Sequence, residues 1–108
     1  MKQKIIMNLL LASSMLFVFS GAAHAGDAAA GKEKLSMCEG CHAIGGGYKT
    51  AFPVVYHVPK IGGQHEEYLV KALQGYKDGT RSHPTMDALV QTLTEQDIKD
   101  FAAYYAGN

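Results

Sequence analysis

Cys38-Glu39-Gly40-Cys41-His42 brings two thiols and an imidazole together within five residues. Thiols two residues apart can bond the two vinyl-derived carbons on one edge of a porphyrin. The histidine directly after the second thiol then reaches the iron from one side. This C-x-x-C-H pattern is the attachment signature for c-type haem. Gly40, between the thiols, relieves crowding where the backbone passes the macrocycle. A thioether is not reducible, so haem c held in this way stays attached whatever the redox state around it. Other chemistries for a C-x-x-C pair fit less well. A redox dithiol belongs beside a βαβ pattern, which the sequence lacks. A structural zinc ion needs two further Cys or His ligands at suitable spacing, and there is no second cysteine pair. A simple disulfide remains if haem is not attached. The expected cofactor is one covalent haem c on Cys38 and Cys41, with His42 as the proximal ligand.

The other face of such a haem also needs a ligand. Beyond residue 25 the only methionines are Met37 and Met86. Met37 adjoins Cys38 and is held beside the attachment site, so it cannot cross to the far face. Met86 lies 44 residues beyond His42, far enough for the chain to wrap and return. Elimination therefore favours Met86, in an Arg81-Ser82-His83-Pro84-Thr85-Met86 loop ahead of a short apolar helix. A buried methionine that only fills core space is the competing reading. His57, His65 and His83 are the competing ligands, with His83 foremost because it is three residues from Met86. A His/Met pair gives a higher potential than two histidines.

The elements that position these residues begin after a leader. Lys2 and Lys4, the apolar Ile5–Phe19 run and Ala23-His24-Ala25 read as a secretory signal peptide, residues 1–25, cleaved after Ala25. The remaining domain, residues 26–108, is small enough to need a cofactor or crosslink for stability. It carries eight basic residues against ten acidic ones, a balance that argues against nucleic-acid binding. No second apolar span follows, so a soluble periplasmic product with no stable membrane span is expected.

Within residues 26–108 the pattern is all-α. Asp27 caps a helix from Ala28 to about Cys38, in which Gly31 implies close approach by another element. Residues 42–63 are loop-like, because Pro53 and Pro59 bracket and demote a strand at Val54, Val55 and Val58. Helices are expected over Glu66–Lys77 and Asp87–Leu93. Thr94 caps a last helix whose stripe is Ile98, Phe101, Ala102 and Tyr105.

Taken in order, these segments resemble the class I c-type cytochromes, especially the small bacterial periplasmic kind whose domain is doubled in the dihaem cytochromes c. Besides C-x-x-C-H, the likeness rests on Pro59–Gln64, Tyr68-Leu69, Tyr76–Arg81, Leu93–Ile98 and Ala103–Tyr105. It implies a cytochrome c fold, four or so short helices wrapped around one haem with the first and last helices crossing. It also implies that His42 and Met86 are the axial ligands and that the Pro59 carbonyl accepts a hydrogen bond from the proximal imidazole. Gly31 and Tyr104 would meet at the helix crossing, and Tyr68, Tyr76 and Arg81 are candidates to line the haem or meet its propionates. Ala43 stands where members commonly have Gly, and the Gly45–Val58 loop, with Tyr48, Phe52 and Tyr56, is particular to this chain.

An iron closed by His and Met has no open position for substrate. The expected function is therefore single-electron transfer in a respiratory chain, without enzymatic activity, by a monomer that meets redox-protein donors and acceptors transiently. The alternatives are a haem-bearing subunit of a larger periplasmic dehydrogenase, and a haem sensor or peroxidase-like enzyme.

Overall fold

Asp27 opens the first helix, α1 (Ala28–Glu33), by accepting hydrogen bonds from the N–H groups of Ala29 and Ala30 on its carboxylate. The computed structural model describes residues 25–44, 49–50 and 56–108; the leader and the Tyr48, Phe52, Val54 and Val55 positions of the loop lie outside them. The helix expected to run to Cys38 breaks at Lys34 and Leu35, and a second helix, α2, spans Ser36–Glu39. The break follows from packing. The Lys34 and Leu35 N–H groups bond three residues back, to Gly31 and Lys32, and this tighter turn accompanies the burial of Leu35 in the core.

Two residues on each side form a minimal antiparallel pair, β1 (Lys49–Thr50) with β2 (Tyr56–His57), in a segment expected to be all loop. Pro59 falls outside the paired positions, so it deprives the ladder of no donor, and Pro53 lies outside the described residues.

Helix α3 (Glu66–Asp78) carries Glu66 and Glu67 in its first turn and Lys77 in its last, and it stops at Gly79 in the left-handed region (φ 85°). Helix α4 spans Pro84–Val90, three residues earlier at each end than the expected 87–93. Pro84 occupies the first helical position, where a fixed φ helps and a missing N–H is harmless. Met86 consequently lies in the first turn of a helix and not in a loop. The Leu93 N–H then bonds Val90 in a tight turn that buries Leu93 before Thr94 caps α5 (Glu95–Ala106). Thr94 and Asp97 form a reciprocal capping box.

The core consists of Leu35, Leu69, Val90, Leu93 and the α5 stripe Ile98, Phe101, Ala102 and Tyr105. Helices α1 and α5 cross at Gly31, where a Cβ would sit 2.3 Å from the Asp100 carbonyl oxygen and 3.2 Å from Tyr104 Cβ. Asp100, only 2% exposed, ties this crossing together. Its carboxylate accepts from the Asp27 N–H at 2.8 Å and from Gln96 Nε2 at 2.8 Å. Lys34 Nζ lies 3.5 Å from the same carboxylate and 2.6 Å from that of Asp97.

These contacts make stability depend on acid. Lys34 and the Thr94 hydroxyl and N–H hold the Asp97 carboxyl down at about 2, against 3.8 when unfolded. Burial pushes Asp100 up, but the bonds from Asp27, Gln96 and Lys34 outweigh it and the net shift is downward. Carboxyls lowered by folding stabilise fully above their unfolded value and lose that contribution as pH falls through the folded one. The thermal midpoint of the holoprotein is therefore expected to fall between pH 4 and 2. Asp97→Asn should flatten that dependence and remove about 1–2 kcal/mol at neutral pH, a range discounted for partial exposure. Thermal melts followed by circular dichroism across pH check it; equal acid sensitivity in the variant would refute it.

Candidate cofactor site

The C-x-x-C-H residues sit on a helical turn that continues past α2. The N–H groups of Cys41 and His42 both bond the Cys38 carbonyl, at 3.2 and 2.8 Å. This winding places Cys38, Cys41 and His42 three and four residues apart on one face. No disulfide joins the two thiols, and burial pushes that of Cys38 up to about 11. His42 Nδ1 lies 2.9 Å from the Pro59 carbonyl oxygen. A carbonyl only accepts, so Nδ1 carries the proton and Nε2 keeps its lone pair for a metal.

All five residues singled out from the sequence, Cys38, Cys41, His42, Pro59 and Met86, line one cavity of about 470 Å³. His83 lines it as well, whereas His65 occupies the N-cap position of α3, exposed and outside the cavity lining. His57 lies in β2, and its side chain is outside the described residues. The α3, α4 and α5 core supplies most of the wall, including Leu69, Leu73, Val90, Leu93 and Phe101. Such a volume with apolar walls and a few placed polar groups is the character of a small-molecule site, which ranges over roughly 300–1,000 Å³.

The residues present fit a haem. Imidazole nitrogen from His42 and His83, the Met86 thioether sulfur and two thiols with crosslinking spacing meet in one apolar space. The buried hydroxyl of Tyr105, which lines the cavity, has no hydrogen-bond partner among the described residues. Burial first, then the Cys38 thiol, Tyr104 and Glu39, push that hydroxyl's pKa upward, so it stays protonated and able to donate. An orphaned donor in an apolar cavity suits a polar group carried by an occupant.

Arg81 supplies a cation suited to a haem's carboxylates. Its guanidinium carbon lies 5.1 Å from the Tyr76 ring centre and 5.8 Å from that of Tyr68, and it donates to the Tyr68 hydroxyl at 3.2 Å. Gly75 makes room for the arrangement. A Cβ there would stand 3.0 and 3.1 Å from the Arg81 stem, and the Gly75 carbonyl accepts the Arg81 N–H.

Sequence reasoning missed the Tyr105 hydroxyl and the Gly75 seat. Tyr105 reads only as a member of the α5 apolar stripe. Gly75 lies mid-helix, where a glycine is a cue to close approach, but nothing in the spacing names Arg81 as the approaching group.

Comparison with known proteins gives a consistent picture. The family model described as "Cytochrome c" matches residues 28–106. Cytochrome c4 of Pseudomonas aeruginosa is 42% identical over 102 residues, covering 93% of this chain and 48% of that protein. Cytochrome c-554(548) of Halomonas halodenitrificans is 38% identical over 85 residues, covering 76% of this chain and 96% of that protein. Among solved structures, the cytochrome c4 of Acidithiobacillus ferrooxidans superposes with a TM-score of 0.59 at 30% identity, over 82% of this chain and 53% of that one. The chain thus spans about half the length of the cytochrome c4 relatives it matches.

Proposed function

The chain belongs to the cytochrome c family and holds covalently bound haem c, and from that premise we propose that it is an exported, periplasmic electron carrier with His42 and Met86 as its axial pair. The observation that carries the reading is the convergence of Cys38, Cys41, His42 and Met86 on one apolar cavity, with His42 Nδ1 tied to Pro59. When bound, the haem supplies an iron that gains or loses one electron.

The chain's own residues set the conditions. Cys38 and Cys41 fix the macrocycle's edge through thioethers. Donation from His42 Nδ1 to Pro59 orients the imidazole and makes Nε2 a stronger donor. The Met86 thioether favours the reduced state more than a second imidazole would, and the walls formed by Leu69, Leu73 and Phe101 exclude water and disfavour added positive charge. Arg81 sits against two tyrosines where a cation would meet haem carboxylates. A haem held by both His42 and Met86 would have no coordination position left for a substrate. This supports outer-sphere transfer to redox proteins in brief encounters and a non-enzymatic role. No helix among the described residues is long and apolar enough to cross a membrane.

The decisive test is the optical spectrum of the oxidised holoprotein. We expect the weak long-wavelength band of methionine-ligated ferric haem, and slow carbon monoxide binding after reduction. Met86→Ala should abolish the band and lower the potential by a substantial part of the roughly 0.8 V range that axial ligands command. A wild-type protein that lacks the band and binds carbon monoxide rapidly would defeat the proposal.

A further inference from the structure

Helix α4 brings a second metal-binding side chain alongside the thioether. His83 is the residue before the helix and Met86 is its third residue. His83 is extended (φ −155°, ψ 121°), so the two are joined by the cavity they share and not by helical spacing. Both line the cavity, and His83 Nδ1 is buried. The His83 imidazole makes no cap bond to the helix. Asp87 holds the turn instead. Its carboxylate accepts the His83 N–H at 3.1 and 3.2 Å and the Ser82 hydroxyl at 3.2 Å, while its own N–H bonds the His83 carbonyl at 2.8 Å. The backbone of His83 is thus anchored from Asp87, and the residue lines the cofactor space.

Resting on the assignment of Met86 above, we infer that His83 is a reserve iron ligand, taking the distal position whenever the Met86 sulfur leaves it. The exchange breaks one iron–sulfur bond and forms one iron–nitrogen bond, with no change in electron count; an imidazolium would release one proton to solvent. Readjustment of Pro84–Met86 breaks no helical bond donated by their own N–H groups, but it must strain the Asp87 N–H bond to the His83 carbonyl and the bonds of the Asp87 carboxylate to the His83 N–H. Imidazole supports ferric iron better than thioether does, since Met/His ligation raises the potential. Oxidation therefore favours His83 and reduction returns the site to Met86. The consequence is an iron that stays six-coordinate, at a lower potential, instead of opening to peroxide or small gases.

The test compares the holoproteins of Met86→Ala, Met86→Ala/His83→Ala and Met86→Ala/His65→Ala by optical and electron paramagnetic resonance spectra. Met86→Ala and its His65 companion are expected to lose the methionine band yet remain low-spin. The His83 companion should become high-spin and bind carbon monoxide quickly when reduced. A high-spin Met86→Ala protein, or a low-spin double variant lacking His83, would overturn the inference. An unchanged Met86→Ala spectrum would instead remove the Met86 assignment, and the reserve role with it, so the two failures are separable. If the Met86 variants do not mature, oxidised wild type and His83→Ala are warmed to just below unfolding. Loss of the band should leave wild type low-spin and His83→Ala high-spin; a high-spin wild type would again overturn it.

Discussion

Prepared without haem, the Cys38→Ala/Cys41→Ala chain is expected to show no cooperative unfolding and little of the helical circular dichroism of the holoprotein. The cofactor space is about 470 Å³. At roughly 24 cal/mol per Å³ of residual cavity, holding that space empty would cost on the order of 11 kcal/mol. A domain of this size has a total stability of about 4–12 kcal/mol. The two quantities are comparable, so the haem-free chain cannot keep the native walls apart. The residues concerned are also the core itself, since Leu69, Val90, Leu93, Phe101, Ala102 and Tyr105 both line the cavity and make up most of the buried cluster. The α1–α5 crossing has its own contacts through Asp100 and Lys34, so partial helicity in those segments is compatible with the expectation. A haem-free protein that melts cooperatively with native helix content would show that the core stands without its cofactor.

What the sequence discloses follows from how local each determinant is. The haem-attachment residues are consecutive, so Cys38, Cys41 and His42 are legible at once. The Asp27 and Thr94 caps and the stop at Gly79 are legible for the same reason, since each depends on neighbours within a turn. The break at Lys34 and Leu35 is not, because it accompanies burial of Leu35 against residues far along the chain. Nor is the start of α4, where Pro84 reads equally well as a loop residue or as a first helical position. That difference matters for the site. Only when the helix is known to start at Pro84 does His83 become its N-cap, lining the same cavity as Met86. Asp100 is the least legible residue of all. An acidic side chain beside Phe101 gives no warning that it is buried and receives the Asp27 N–H from 73 positions away.

Gly31→Ala is expected to lower the thermal midpoint of the holoprotein by ~10 °C while leaving its optical spectrum unchanged. In an isolated helix this substitution would help by about 1 kcal/mol. Here the new methyl group would sit 2.3 Å from the Asp100 carbonyl oxygen and 2.7 Å from its carbonyl carbon. Both are backbone atoms of α5, so no side-chain rotation relieves the contact and the two helices must separate. Separation stretches the Asp27 N–H bond to Asp100 and the reach of Lys34 to Asp97 and Asp100. Overpacking of this kind costs about 1–3 kcal/mol net, and 1 kcal/mol moves the midpoint of so small a domain by about 4–8 °C. Gly107→Ala is the control, because its Cβ would meet nothing closer than 3.5 Å and its φ is −86°; it should stay within about 0.5 kcal/mol of wild type. The spectrum is expected to hold because Gly31 does not line the cofactor cavity. Equal midpoints for Gly31→Ala and wild type would mean that α1 yields freely and that the crossing contributes little to holding the last helix against the haem.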